Sequence, residues 1–192
     1  MAKRNAIVSC GKELVELGLV RANSGNISVR AGLDSIFITP SGEPLNKLNS
    51  GDIIEIDSKG KSLSDNSKMP SMEASMHLGI YRGNSNCQAI VHAHPLYATI
   101  IGTIMEIKPL TYEAAVFCES IDYIPAVSPG SKDLADLVSN TTAQVIVLKN
   151  HGVVVWGEDL EECVFRLQVI EENAIQTYIA KSMGTAPFLE KH

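Results

Sequence analysis

Two short β-branched runs, Val145–Leu148 and Val153–Trp156, flank the tetrapeptide Lys149–Gly152, so they read as neighbouring strands with a tight connection. Further strand-like runs occupy Asn26–Arg30, Ser35–Thr39 and Asp52–Asp57, separated by Gly and Asp turns, and Gln88–His92 reads as a buried strand that Pro95 stops. Helical spacing is carried by Ile7, Val8, Gly11, Leu14 and Val15, predicting a helix over Asn5–Leu17 with Gly18 at its C′ position. Pro70 and Ser71 open a second helix, Met72 to Arg82, and a third runs from Pro95 to Gly102. Ser131–Ser139 is helical through Leu134, Leu137 and Val138. Asp159 with Glu162 makes a capping-box-like start to a long amphipathic helix, Leu160–Lys181. Ile107–Val127 has no clear pattern, and Ser58–Pro70 reads as a surface loop. Strands come in runs as well as alternating with helices. The expected class is therefore α/β, with a mixed or largely antiparallel sheet and helices on both sides.

The length, 192 residues, fits a single domain spanning 1–192; a chain of this size buries roughly 70% of its unfolded surface. A net charge of −6 argues against nucleic acid as a partner, because phosphate binding needs a basic stripe. The apolar stretch behind Lys3 and Arg4 is too short for a secretory h-region, and Tyr97–Met105 is too short to span a bilayer. Four cysteines, Cys10, Cys87, Cys118 and Cys163, lie far apart without paired spacing, as expected of buried thiols in a reducing cytoplasm. In that setting the sequons at Asn26 and Asn140 are chance matches.

Five histidines narrow the chemistry. His92 and His94 form an H-x-H pair at the end of a predicted strand, where residues two apart share a face. His151 follows another apolar strand and precedes Gly152, where the backbone can bend sharply. Three neutral imidazoles with an open position make a catalytic zinc arrangement, although a lone H-x-H also arises by chance. His77, four residues after Glu73, is either a metal-binding or a helix-packing partner. The second reading, a structural hydrogen-bonded His77, is preferred because three other histidines already fill a zinc site. His192, the last residue, is expected to fray. Lys149 could in principle form a Schiff base, but a lysine in a polar turn is more often solvated. Phosphate-loop, dinucleotide, H-E-x-x-H and G-x-S-x-G templates are all missing from the sequence. Three Gly/Ser/Asn/Thr-rich turns, Asn23–Asn26, Thr39–Gly42 and Pro70–Ser71, together offer an anion cradle built without arginine, while any one alone is ordinary turn chemistry.

The segments GLVRANSGNISVR, ITPSG, PSMEASMHLGIYR, AIVHAHPLYAT and LKNHGVVVWG, in this order, resemble the class II aldolase/adducin family, and within it the zinc-dependent L-fuculose-phosphate aldolases, over roughly residues 5 to 181. The resemblance implies a three-layer α/β/α domain with a central mixed, mostly antiparallel sheet, and a homotetramer with active sites between subunits. It implies His92, His94, His151 and Glu73 as metal ligands, Glu73 also as acid/base, and Asn26, Ser41, Gly42 and Ser71 as phosphate-binding positions. Tyr112 is similar to the family tyrosine that reaches a neighbouring subunit's site. Met72 departs from the family's usual second serine and removes one phosphate hydroxyl.

The implied activity is that of a metal-dependent aldehyde-lyase of carbohydrate metabolism, using Zn²⁺ or another divalent metal. It would cleave a ketose 1-phosphate such as L-fuculose 1-phosphate to dihydroxyacetone phosphate and a small aldehyde such as lactaldehyde. A 4-epimerase of the same superfamily would usually carry aspartate in place of Glu73. Methylthioribulose-phosphate dehydratases and decarboxylating relatives stay open, whereas a non-catalytic adducin-like module would lack the full metal set.

Overall fold

The computed structural model describes residues 1–65 and 67–189; His192 lies outside the described residues. In chain order the elements are α1 (Ala2–Glu16), β1 (Asn26–Arg30), β2 (Ser35–Ile38), β3 (Ile54–Asp57), α2 (Ala74–Gly83), β4 (Ala89–Ala93), α3 (Leu96–Ile104), α4 (Tyr112–Phe117), β5 (Ile121–Ile124), α5 (Lys132–Ser139), β6 (Val145–Leu148), β7 (Gly152–Gly157) and α6 (Leu160–Ser182). Among the described residues the strands form one sheet in the order β3-β2-β1-β4-β7-β6-β5. Neighbours run antiparallel except β5 and β6, which are parallel.

Both faces of this sheet are covered, which explains why its central strands are apolar at successive positions. Ile27, Val29, Val91, Val147 and Val155 point to one face, where α1, α3 and α6 cover them with Ile7, Leu14, Ala98, Leu167 and Ile170. Ile38, Ile54, Ile90, Ile146 and Val154 point to the other, under Met76 and Ile80 of α2 and Leu134 and Val138 of α5. The molecule is thus a three-layer α/β/α domain with a mixed, mostly antiparallel sheet. Among the described residues no helix is long and apolar enough to cross a membrane, and all four cysteines are free and buried.

Several boundaries differ from those the sequence predicts. The second helix begins at Ala74, not Met72, leaving Glu73 as its N-cap with φ −94° and ψ 13°. The chain is still stapled to the end of β2 there: Ser71 N–H donates to the Thr39 carbonyl (3.0 Å), and Glu73 N–H donates to Ser71 Oγ (3.2 Å). The third strand starts at Ile54 because Asp52 is committed to a turn, its carboxylate accepting from Asn49 N–H at 2.8 Å. The unpatterned stretch resolves into α4, capped by Thr111, whose hydroxyl accepts from Ala114 N–H, and β5, which adds to the sheet beside β6. At α6, Asp159 caps as expected, accepting from Glu162 N–H at 2.8 Å, but Glu162 reaches back one residue further, to Glu158 N–H.

Candidate functional site

The histidines meet at one end of the sheet. His92 is on β4, registered opposite Asn26 of β1 and Val154 of β7, on the face that α2 covers. His94 follows one step past the end of β4. Two side-chain oxygens of Glu171 on α6 accept from Tyr97 N–H and Ala98 N–H (3.1 and 2.7 Å), fixing the start of α3 just beyond it. His151 occupies the β6–β7 turn, its N–H donating to the Leu148 carbonyl at 3.0 Å. Asn150 makes that turn at φ +63°, a left-handed conformation asparagine tolerates, and its N–H donates to Thr103 Oγ1 at 2.8 Å.

Two glycines let the backbone come this close. A Cβ on Gly152 would lie 2.5 Å from the Ala93 carbonyl oxygen, 2.6 Å from His94 Cδ2 and 3.0 Å from His92 Cε1. Gly25, at φ +79°, passes the His92 carbonyl where a Cβ would be 2.8 Å from its oxygen. Neither position has room for a side chain.

The three imidazole centroids are 4.8–5.1 Å apart with planes inclined at 67–71°, so the rings surround one point. One ring nitrogen from each lies within 4.8 Å of the others. His92 Nδ1 is 3.0 Å from the Val153 carbonyl, which can only accept, so Nδ1 carries the proton and Nε2 presents a lone pair to the cluster. His94 Nε2 is 3.0 Å from that nitrogen. Burial, followed by the neighbouring His94 and His151, pushes His92 well below the usual histidine range, and burial then His151 lowers His94. These are neutral imidazoles, the form that binds metal.

Glu73 closes the cluster, with Oε2 3.2 Å from His92 Nε2 and Oε1 3.3 Å from His151 Nε2. Its Oε1 is buried and has no hydrogen-bond partner. An orphaned carboxylate oxygen facing converging nitrogen lone pairs is the donor set of a divalent cation. The residues present therefore fit a divalent metal.

The three turns expected to cradle phosphate are laced together around Glu73. Ser41 N–H donates to the Met69 carbonyl at 2.9 Å, and Pro40 pairs with Pro70. Thr39 Oγ1 accepts from Ile27 N–H at 3.1 Å. Gly42 sits at φ +74° beside open space. Ser71 Oγ serves the Glu73 backbone, while the Asn26 amide donates to Glu73 Oε2 at 2.8 Å. Met72 is exposed on the turn between Ser71 and Glu73.

His77 is apart from the cluster, as preferred above, and burial pushes its pKa down to about 3. It bonds Asn26 Oδ1 and Ser28 Oγ, and Ser28 bonds Tyr81. Ser28 and Tyr81 escaped the sequence reading. The available signal was a strand with polar residues at alternate positions in a sheet covered on both sides.

Tyr112 begins α4 with 81% of its surface exposed and makes no hydrogen bond to the cluster within the chain. Lys149 lies over the Tyr123 ring, 5.9 Å from its centroid, and shares the lining of a cavity of about 570 Å³ with His151.

Residues 5–178 match the family model described as "Class II Aldolase and Adducin N-terminal domain". The chain is 38% identical over 180 residues to the L-fuculose phosphate aldolase of Methanocaldococcus jannaschii, covering 93% of this chain and 97% of that one. It is 32% identical over 182 residues to the 3-oxo-tetronate 4-phosphate decarboxylase of Haemophilus influenzae, covering 91% and 86%. A solved L-fuculose 1-phosphate aldolase superposes with TM-score 0.90 at 28% identity, covering 99% of this chain and 91% of that chain. With the three-layer fold, the histidine cluster and these likenesses in agreement, the chain belongs to the class II aldolase/adducin family.

Proposed function

We propose that this protein is a cytoplasmic, zinc-dependent aldehyde-lyase that cleaves a ketose 1-phosphate, L-fuculose 1-phosphate or a close analogue, to dihydroxyacetone phosphate and a small aldehyde such as lactaldehyde. One observation carries the reading: the buried, unpartnered Glu73 Oε1 faces three converging imidazoles. Aldolase-named relatives support the reaction class. The cation held by His92, His94, His151 and, before substrate arrives, Glu73 supplies Lewis-acid stabilisation of negative charge developing on substrate oxygen.

The chain's own residues do the rest. The turns at Ser41–Gly42 and Ser71 receive the phosphate through the two serine hydroxyls and the Gly42 N–H, while the Asn26 side chain, also expected there, is held instead by Glu73 and His77. The C3–C4 bond breaks with its electron pair left on C3, and the C4 hydroxyl proton departs. Glu73 exchanges the proton at C3. Tyr112, from a second copy of the chain, serves the aldehyde oxygen, where a proton leaves in cleavage and arrives in condensation. Its exposure in the single chain accords with such a role. Leu96, Ile100 and Ile104 form an exposed apolar stripe at four-residue spacing along α3, a face suited to contact between copies in a homotetramer.

A second reading, decarboxylation of a 3-oxo sugar-acid phosphate, is favoured by the likeness to the Haemophilus decarboxylase. Both reactions leave an electron pair beside a ketone, so one centre serves either.

Glu73→Gln should retain metal while kcat falls roughly 10²–10⁴-fold, the usual worth of a general acid/base. A strong chelator should abolish turnover, and Zn²⁺ should restore it. Assays with ketose phosphates and 3-oxo acid phosphates decide between the readings, aldehyde release marking the lyase and CO₂ the decarboxylase. Native turnover in Glu73→Gln overturns the assignment of Glu73, and a metal-free active enzyme overturns the whole reading.

A further inference from the structure

Five buried polar side chains stand in one line between the sheet and α2. Tyr81 Oη is 3.0 Å from Ser28 Oγ, and Ser28 Oγ is 2.7 Å from His77 Nδ1. His77 Nε2 is 2.5 Å from Asn26 Oδ1, and Asn26 Nδ2 is 2.8 Å from Glu73 Oε2. Every proton along this line follows from its last member. A carboxylate only accepts, so the Asn26 amide nitrogen faces Glu73 and its oxygen faces His77. His77 must then donate from Nε2, which leaves a lone pair on Nδ1 for the Ser28 hydroxyl. Ser28, having donated there, accepts from Tyr81. All four donations run towards Glu73.

We infer that this line positions the carboxylate by committing Glu73 Oε2 as a fixed acceptor, so that Oε1 is the oxygen that takes and returns the reacting proton. His77 is the positioning residue that sets the orientation of Asn26. The inference rests on the acid/base reading of Glu73 given above. Protonating Oε2 would weaken the acceptor on which the Asn26 amide, and through it the rest of the buried line, depends. Oε1 is buried, faces the cluster 3.3 Å from His151 Nε2 and carries no hydrogen bond that a proton there would weaken. The five groups also hold one another in place, since each is buried and its polar atoms are shared only along the line or with the cluster.

The direction of donation is directly measurable. In metal-loaded protein carrying ¹⁵N-histidine, His77 should show a protonated Nε2 and a bare Nδ1; the opposite tautomer overturns the inference. His77→Leu removes the donor to Asn26, whereas His77→Gln keeps an amide N–H within reach. His77→Leu should lower kcat roughly 10–100-fold, the usual effect of losing a supporting partner, with KM and bound metal unchanged. His77→Gln should recover most of that loss. Native kcat in His77→Leu, or no recovery in His77→Gln, overturns the positioning role. Should His77→Leu fail to fold, the tautomer in the native protein and the milder Tyr81→Phe, expected to lower kcat without moving KM, decide the matter. Loss of turnover in Glu73→Gln with native turnover in the His77 variants defeats this inference alone. Native turnover in Glu73→Gln defeats the acid/base reading and leaves the tautomer result standing.

Discussion

The two faces of the central sheet are made from the same strands and have opposite characters. Towards α1, α3 and α6, β1 presents Ile27 and Val29 and β4 presents Ala89, Val91 and Ala93. Towards α2, β4 presents Ile90 and then His92, and β1 presents Asn26 and Ser28. In these two strands one face is apolar throughout; the other changes from apolar to polar at the end where the turns gather. A buried polar group without a partner costs roughly 1–3 kcal/mol. Each polar residue placed on that face therefore requires another, which is why α2 carries His77 and Tyr81 opposite Asn26 and Ser28. Stability and chemistry are divided between alternate residues of single strands.

Neighbouring substitutions on β4 test that division most severely. His92→Ala should strip the metal and lower turnover roughly 10³-fold or more, since Lewis-acid assistance is worth several kcal/mol. Val91→Ala, one residue away and facing the opposite layer, should cost about 2–3 kcal/mol of unfolding free energy and leave kcat per folded molecule untouched. Metal analysis, turnover and urea unfolding of both variants separate the two. A fall in kcat from Val91→Ala would show that the faces are coupled rather than divided.

Gly152 stands where the two characters meet, paired with Leu148 on β6 and pressed against His92 and His94. Gly152→Ala should push those rings apart, because the added Cβ would face a backbone oxygen at 2.5 Å that cannot swing away. Metal affinity should fall roughly 10–100-fold, as it does when ligand orientation is disturbed. Overpacking should also cost about 1–3 kcal/mol of stability. Competition with a chromogenic chelator measures the first effect, and unchanged affinity would show that the cluster tolerates displacement.

What could be read in advance divides along the same line. β6 and β7 were legible because β-branched runs buried on both faces have few alternatives to a central strand. His92, His94, His151 and Glu73 were legible because few residue types do that chemistry and their segments match a known family. Glu73 was nonetheless expected within the helix, since Pro70 and Ser71 look like a helix start. The backbone bond from Ser71 to Thr39, which delays it, joins positions 32 residues apart in sequence. Ser28 and Tyr81 were invisible for a related reason. A serine in a strand and a tyrosine in a helix are unremarkable until register places β1 under α2. Asn26 was singled out for phosphate, and in the structure its side chain is held by Glu73 and His77.

Proton binding gives the gentlest comparison of the faces. On the apolar side the titratable groups include Cys10 and Cys118, whose thiols burial pushes up to about 12, so they stay protonated through neutral and acid pH in folded and unfolded chains alike. On the polar side His77 is held neutral by burial, its pKa pushed down to about 3 from an ordinary 6.5. Below pH 6.5 the unfolded chain therefore takes up a proton at His77 that the folded chain refuses, and stability falls as pH drops towards 3. Above 6.5 this group contributes no slope. Between pH 6.5 and 5 the loss should be about 2 kcal/mol for one such histidine. His92 and His94, shifted in the same direction, add to the slope in metal-free protein. Urea unfolding of metal-free protein at pH 7.5 and pH 5 should show the fall. His77→Gln should flatten its share of the slope, while Cys10→Ala should leave the slope as it was. An equal slope in the native and His77→Gln proteins would mean that acid enters elsewhere and that the buried polar line is not where the fold is most sensitive to protons.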